Sequence, residues 1–290
     1  SILPQPHAAF VIGTLIGARS ELPYSIKDDF ARTSTSHIIA VSGYNISIIA
    51  QIIGAVTVFF MRRSRAYWVT VAILVGFMMM TGAQASVVRA TIMGLYALTA
   101  RQFGRLPSST HGLLVTAGIM VALQPTILVY DIGFQLSFLA TAGIFYIAPI
   151  LASLMPRLGR VPILGETLIM TCAAQLAVFP LLIYYFHSFS VIALPINLLV
   201  LPLVPFVMIS GFLAGIAGLI AGPLGILVGS IPHILSRIIL GIIHAGSSIS
   251  WASITYTLSM PTIFCIYILM GAYIWWYFRY ELTDEVRDSV

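Results

Sequence analysis

The chain has 290 residues, of which 59% are hydrophobic and only 8% are charged. Soluble domains carry about 25% charged residues, so this composition excludes an ordinary soluble enzyme or binding module and indicates a polytopic membrane protein. The net charge of +5 is typical of the basic cytoplasmic loops of such proteins, although an anionic substrate is a second explanation.

The N-terminal segment, residues 1–36, is predicted to lie outside the cytoplasm. Residues 7–18 within it are apolar but too short to span a bilayer comfortably, so they predict an interfacial helix. The segment has no basic stretch followed by an apolar core, which argues against a signal peptide. Because the chain starts at Ser1, we expect it to be a piece of a longer gene product.

The rest of the chain is predicted to form an all-α membrane domain with about eight or nine transmembrane or re-entrant helices, some of them broken around a central cavity. Each candidate span contains about 20 mostly apolar residues. The candidates are 37–61, 66–82, 84–100, 110–125, 131–154, 163–186, 190–221, 222–248 and 259–279.

Two of these spans are unusual. The span 190–221 contains prolines, which remove backbone donors and kink helices. In the span 222–248, His233, Arg237 and His244 are spaced to lie on one helix face. That pattern leaves an interfacial amphipathic helix as an alternative to a crossing there.

Arginines predict the orientation of the spans. They follow the first, third, fifth and last spans at Arg62, Arg101, Arg157 and Arg279, whereas the intervening loops carry no Arg or Lys. By the positive-inside rule, these four ends are cytoplasmic. Residues 37–280 are therefore the transmembrane domain and residues 281–290 a cytoplasmic tail.

The first span begins with a polar cluster, in the stretch HIIAVSGYNISIIA. His37, Ser42, Gly43, Tyr44 and Asn45 are costly in a membrane, and intramembrane polar residues indicate a functional site by default. Ser42 and Gly43 favour a break in the helix, whose freed backbone groups would face a pore. The alternative is close helix packing, which small residues permit.

Four further polar residues lie within predicted spans. Arg89 lies near the outer end of its span and is either a pathway residue or a side chain that snorkels to the interface. Asp131 and Gln135 share a helix face, and Asp131 is either a partner of Arg89 or an N-cap. Asn197 lies between prolines and is a candidate pore amide. All four are predicted to line the path of the substrate.

Motifs of soluble enzymes are absent from the sequence: it has no Walker A loop, no HExxH and no G-x-S-x-G elbow. His37 and Ser42 are poorly aligned as a base and a nucleophile, so membrane hydrolysis is a weak alternative. We therefore expect no enzymatic activity, no metal site and no cofactor.

Four separated motifs resemble the ComEC/Rec2 competence family. They are the stretch at 37–50 quoted above, SVVRATIMG at 86–94, QPTILVYDIGFQLSFLATAGI at 124–144, and the proline-rich segment at 174–205. The resemblance covers roughly residues 5–275 in order. Asn45 departs from the family pattern, which commonly has His at that position, and this puts a proton or metal role there in doubt.

The resemblance implies a multi-pass channel of the inner or plasma membrane that conducts single-stranded DNA into the cytoplasm during natural transformation. It implies a cytoplasmic helicase or other ATPase and a DNA-receptor protein as partners, with a homo-oligomer possible. Members usually add an OB-like domain and a metallo-β-lactamase-like domain, and we expect neither among these 290 residues. A small-solute or lipid-related transporter with the same core is the alternative function.

Overall fold

The computed structural model describes residues 3–18, 21–39, 46, 54, 57, 59–156, 164–190, 192–249, 253–255 and 258–288. These residues are helical apart from connecting turns and two three-residue strands. In chain order the elements are α1 (His7–Ile16), α2 (Tyr24–Arg32), α3 (Ser36–Ile39), α4 (Arg63–Met80), α5 (Ala85–Gln102), α6 (Ser109–Leu123), α7 (Ile127–Tyr130), α8 (Ile132–Leu154), α9 (Leu164–Phe186), β1 (Ser188–Ser190), α10 (Ala193–Val200), α11 (Val204–Ile220), α12 (Gly222–Ser247), β2 (Ser253–Thr255) and α13 (Met260–Asp288).

Five helical stretches among the described residues are long and apolar enough to cross a membrane. They are Ile132–Leu154, Gly165–Phe186, Ala193–Ile220, Gly222–Ser247 and Met260–Tyr280. They confirm the prediction of a polytopic helical membrane protein. The shorter apolar helices, Ser64–Met80 and Ser109–Leu123, fall below the roughly 20 residues that a bilayer requires, and most of the first predicted span lies outside the described residues. The count of eight or nine therefore stays a prediction.

The predicted break near residue 200 is present. Helix α10 ends at Val200, a 3-10 turn covers Leu201–Leu203, and α11 begins at Val204. Pro202 and Pro205 explain the interruption, because neither can donate the backbone hydrogen bond that would continue an α-helix. Pro205 lies in the first turn of α11, where that missing donor costs little.

The chain divides into two compact units, one formed by residues 1–135 with 195–252 and the other by residues 136–194 with 253–290. In the first unit, α11 and α12 are joined by Ala221 and pack against each other as a hairpin. Helices α1 and α2 cover this hairpin. A Cβ added at Gly211 of α11 would lie 2.6 Å from the Cγ1 atom of Val11, so α1 approaches α11 at van der Waals distance only because residue 211 has no side chain.

The N-terminal segment thus contains more structure than its sequence predicted. A helix is present there as α1, with Ala8, Ala9 and Phe10 buried within the first unit, whereas its interfacial position stays a prediction. Helix α2 was not predicted, and its Phe30 stacks on Phe10 with ring centroids 6.0 Å apart. Aromatic pairs of this kind add to the free energy gained from burial.

Helices α4 and α5 form a second contact within the first unit. Leu74 of α4 and Val87 of α5 are fully buried in one apolar cluster with Ile46. At the other end of the pair, the hydroxyl oxygens of Tyr67 and Thr99 are 3.0 Å apart. Hydrogen bonds between helices hold such pairs together where lipid supplies no hydrophobic driving force.

In the second unit, α8 and α9 approach each other at Gly143. A Cβ added there would lie 2.6 Å from both the carbonyl oxygen of Ala173 and the Cβ of Ala177. Helix α13 is tied to α9 by a hydrogen bond of 3.1 Å that the Tyr267 hydroxyl donates to the carbonyl of Ala177. The strands β1 and β2 pair antiparallel, with Phe189 opposite Ile254.

The contact at Gly143 gives a stability prediction. Gly143→Ala should lower the free energy of unfolding by about 1–3 kcal/mol, because the added methyl group overpacks two helix backbones. Gly271→Ala, at a helical glycine with open space around its Cβ position, is the matched control and should be neutral or slightly stabilising. Thermal unfolding in detergent micelles measures both, and equal stability of the two variants would contradict the close approach.

Candidate functional site

The polar cluster of the first predicted span lies almost entirely outside the described residues. This applies to Ser42, Gly43, Tyr44 and Asn45, whose predicted place on the pathway stays a prediction. His37 is described, and it lies in the four-residue helix α3 with its side chain exposed.

Arg89 is buried within α5. Only 9% of the residue is exposed, and its Nη1 atom lies 3.6 Å from the Sδ atom of Met93, one turn further along the helix. Thr91 is also buried, and its Oγ1 has no hydrogen-bond partner among the described residues. A guanidinium in this position is expensive to keep in a membrane protein, which argues against simple snorkelling to the interface.

Asp131 is the N-cap of α8. Its Oδ1 atom accepts a hydrogen bond of 2.7 Å from the backbone N–H of Phe134, which is the bond that an N-cap carboxylate makes. Its backbone is extended, with φ −99° and ψ 101°. The capping alternative of the sequence analysis is therefore correct for this residue.

Gln135 binds the end of the preceding helix at the turn between α7 and α8, which we call the α7–α8 corner. Its Nε2 donates hydrogen bonds to the carbonyls of Leu128 and Val129, at 2.9 and 3.0 Å. These carbonyls belong to the short helix α7, whose last residues lack helical partners of their own. Asp131 thus provides a hydrogen-bond partner for a backbone N–H at the start of α8, and Gln135 does the same for two carbonyls at the end of α7.

A pocket of about 410 Å³ adjoins this corner. It is lined by Gln124, Thr126, Ile127, Tyr130, Asp131 and Ile132. Its lining mixes polar side chains with an aromatic one, and it lies beside the loop that the arginine pattern assigns to the outer side of the membrane.

Asn197 is buried in α10, three residues before the helix ends. Only 2% of the residue is exposed, and its Oδ1 has no hydrogen-bond partner among the described residues. A buried amide oxygen without a partner costs about 1–3 kcal/mol. The place of Asn197 on the path of the substrate stays a prediction.

The structure brings only some of the predicted residues together. Asp131 and Gln135 act on one helix corner. The proposed pairing of Arg89 with Asp131 is not among the ion pairs of the described residues, which join Arg32 to Asp28 and His244 to Asp29. Within the described part of the chain, no group of three or more His, Cys, Asp or Glu residues is placed to hold a metal ion.

The structure also reveals a polar contact that the sequence analysis missed. The carboxylate of Asp29 binds the Nδ1 of His244 at 2.9 Å and accepts a hydrogen bond of 2.5 Å from the Ser247 hydroxyl. The spacing of His233, Arg237 and His244 did indicate a polar face on α12. Its partner could not be identified because it lies more than 200 positions earlier in the chain.

The corner at Asp131 generates a second prediction. Asp131→Ala should lower the free energy of unfolding by about 1 kcal/mol, whereas Asp131→Asn should be nearly neutral, since Asn is an equally good N-cap. Thermal unfolding in detergent compares the two variants. Equal losses of stability in both would show that the negative charge matters in the folded state rather than the cap.

Comparison with known proteins agrees with the motifs. A family model described as "Competence protein" matches residues 14–280. The chain is 27% identical to ComE operon protein 3 of Bacillus subtilis (strain 168) over 218 residues, which make up 74% of this chain and 27% of that protein. The chain therefore spans about a quarter of the length of this relative. No solved structure matches the chain. Because the family model covers most of its length, the chain belongs to the competence protein family.

Proposed function

We propose that the chain forms a membrane channel that conducts single-stranded DNA into the cytoplasm during natural transformation. The observation that carries the proposal is the match to the competence family over residues 14–280, together with the apolar helices of a multi-pass membrane protein. The channel lies in the inner or plasma membrane, crosses it about eight or nine times and surrounds a central cavity with broken helices.

The chain acts as a passive conduit rather than an enzyme. Single-stranded DNA binds in grooves that combine positive charge with aromatic faces, without much dependence on base sequence. An inside-negative membrane potential opposes the entry of a polyanion by about 2.3 kcal/mol per charge per 100 mV. We therefore propose that a cytoplasmic helicase pulls the strand and that a DNA-receptor protein delivers it.

Arg89 is the residue that we assign most firmly to the path of DNA. It is a buried cation in a membrane helix, near the end that the arginine pattern assigns to the outside, and a phosphate is the natural ligand for a guanidinium. Asn197 supports the path with a buried amide oxygen. Asp131 and Gln135 shape the corner between α7 and α8 rather than touch the strand.

The role of Arg89 predicts a loss of DNA uptake. Arg89→Gln should reduce uptake of a labelled single strand into proteoliposomes, with the motor domain of a partner helicase inside, by about tenfold, the effect expected when a phosphate contact is lost. Arg89→Lys should retain part of the uptake because it keeps the charge. Arg105→Gln removes an exposed charge three residues after the end of the same helix and is the matched control.

The assay separates the channel from its alternative. Uptake that falls in Arg89→Gln but not in Arg105→Gln supports a DNA path at Arg89. Uptake that does not change in either variant places the path elsewhere. Uptake of a small anionic solute in place of DNA would favour the transporter interpretation.

A further inference from the structure

Three side chains gather where α1 crosses the polar face of α12. The imidazole rings of His7 and His233 meet edge to face, with centroids 4.6 Å apart. The Nδ1 of His7 lies 3.2 Å from the hydroxyl of Ser236. Arg237, one helical turn after His233, has an exposed side chain. We call His7, His233 and Arg237 the α1–α12 basic cluster.

Arg237 gives the cluster a positive charge. Burial, followed by the positive charges of His233 and Arg237, lowers the pKa of His7. Among the described residues, no carboxylate forms an ion pair with any of the three. Asp29 of α2 contacts α12 further along that helix, where it is bound to His244. His244 lies seven residues from Arg237, or about 10 Å along the helix.

One atom of the cluster has an unused hydrogen-bonding capacity. The Nδ1 of His233 is buried and has no hydrogen-bond partner among the described residues. Buried polar groups are nearly always paired with protein, water or ligand. An anionic oxygen would accept a bond from a ring N–H, and the Arg237 guanidinium beside it would add charge-assisted bonds, which are the stronger kind.

We propose that the α1–α12 basic cluster binds a phosphodiester anion. Arginine recognises phosphate through its planar set of donors, and a bound anion favours the protonated, charged form of a neighbouring histidine. The phosphodiester can belong to the backbone of DNA or to the headgroup of a membrane lipid. The site does not depend on DNA conduction, since it requires only that α1 is docked on α12.

The lowered pKa of His7 gives the site a pH dependence. Without an anion, burial and the neighbouring charge keep the pKa of His7 below its ordinary value of about 6.5. A bound anion favours the protonated form and raises the pKa, so the complex takes up a proton. Affinity should therefore rise as pH falls from about 7.5 to about 6.

Other titratable or charged groups also lie on the elements packed around the cluster. Helix α11 contributes none. The others are His37 on α3, His244 on α12, and Tyr24, Lys27, Asp28, Asp29 and Arg32 on α2.

The test uses the whole chain in nanodiscs. One arm measures binding of a fluorescent oligothymidylate to the chain in nanodiscs of neutral phosphatidylcholine. The other arm measures, without DNA, how many phosphatidylglycerol molecules stay associated with the chain in mixed nanodiscs. The test variants are Arg237→Gln and His233→Asn. The control is Arg65→Gln, which changes an exposed arginine of α4.

If DNA is the ligand, Arg237→Gln should weaken oligonucleotide binding about tenfold and lower the slope of log affinity against log salt by about one. His233→Asn should weaken binding less and flatten the pH dependence. If a lipid headgroup is the ligand, the same variants should lose bound phosphatidylglycerol and leave oligonucleotide binding unchanged. The control should match the parent in both arms.

A direct measurement keeps the proposal falsifiable if a variant folds poorly. Titration of the parent with dimethyl phosphate, followed by the nitrogen resonances of the histidine rings, should raise the pKa of His7. An unchanged His7 pKa in the parent, or equal binding by parent and folded variants in both arms, would overturn the proposal. Failure of DNA uptake in the Arg89 assay would leave this site unaffected, so the two proposals fail separately.

Discussion

The constraint on which this structure depends is that polar groups buried in a membrane protein must find their partners within the chain. Water is absent from the hydrocarbon region, and each unsatisfied backbone group there costs several kcal/mol. Helices meet this requirement for the backbone. At the ends and breaks of helices, side chains must supply hydrogen-bond partners for the free backbone groups. The corner between α7 and α8 is an example. Asp131 accepts from the N–H of Phe134, and Gln135 donates to two carbonyls of the preceding helix.

The same constraint makes the exceptions informative. Asn197 and His233 each bury a polar atom that has no hydrogen-bond partner among the described residues. Each such group lowers the stability of the folded protein unless something outside the chain compensates it. Water in a pathway or the oxygens of a phosphate would do so. The exceptions therefore support functional proposals, whereas the satisfied residues are explained by structure alone.

The sequence predicted the long apolar helices well. The bounds of α8, α9 and α12 each differ from the predicted span by one residue, because a long hydrophobic run leaves few alternatives. The break near Pro202 was predicted for the same reason, since proline acts on its own turn. Helix α2 was missed because its sequence, YSIKDDFAR, is short and charged, and its burial depends on Phe10 of another helix.

Contacts between distant parts of the chain were beyond prediction. The pattern of polar residues on α12 was visible, but nothing local indicates that Asp29 binds His244 or that His7 lies against His233. The choice between an N-cap and an ion pair at Asp131 also needed coordinates, because both fit the same spacing. For Ser42, Gly43, Tyr44 and Asn45 the sequence remains the basis of the interpretation, since they lie outside the described residues.

The central claim is that a single DNA strand passes through this domain. The most direct measurement is the ionic current through the chain in a planar bilayer while oligothymidylates of increasing length are added on the side of the N-terminal segment. The account predicts transient blockades whose duration increases with strand length, because a longer strand takes longer to pass. Blockades whose duration does not depend on length, or a conductance that single strands do not affect, would contradict it.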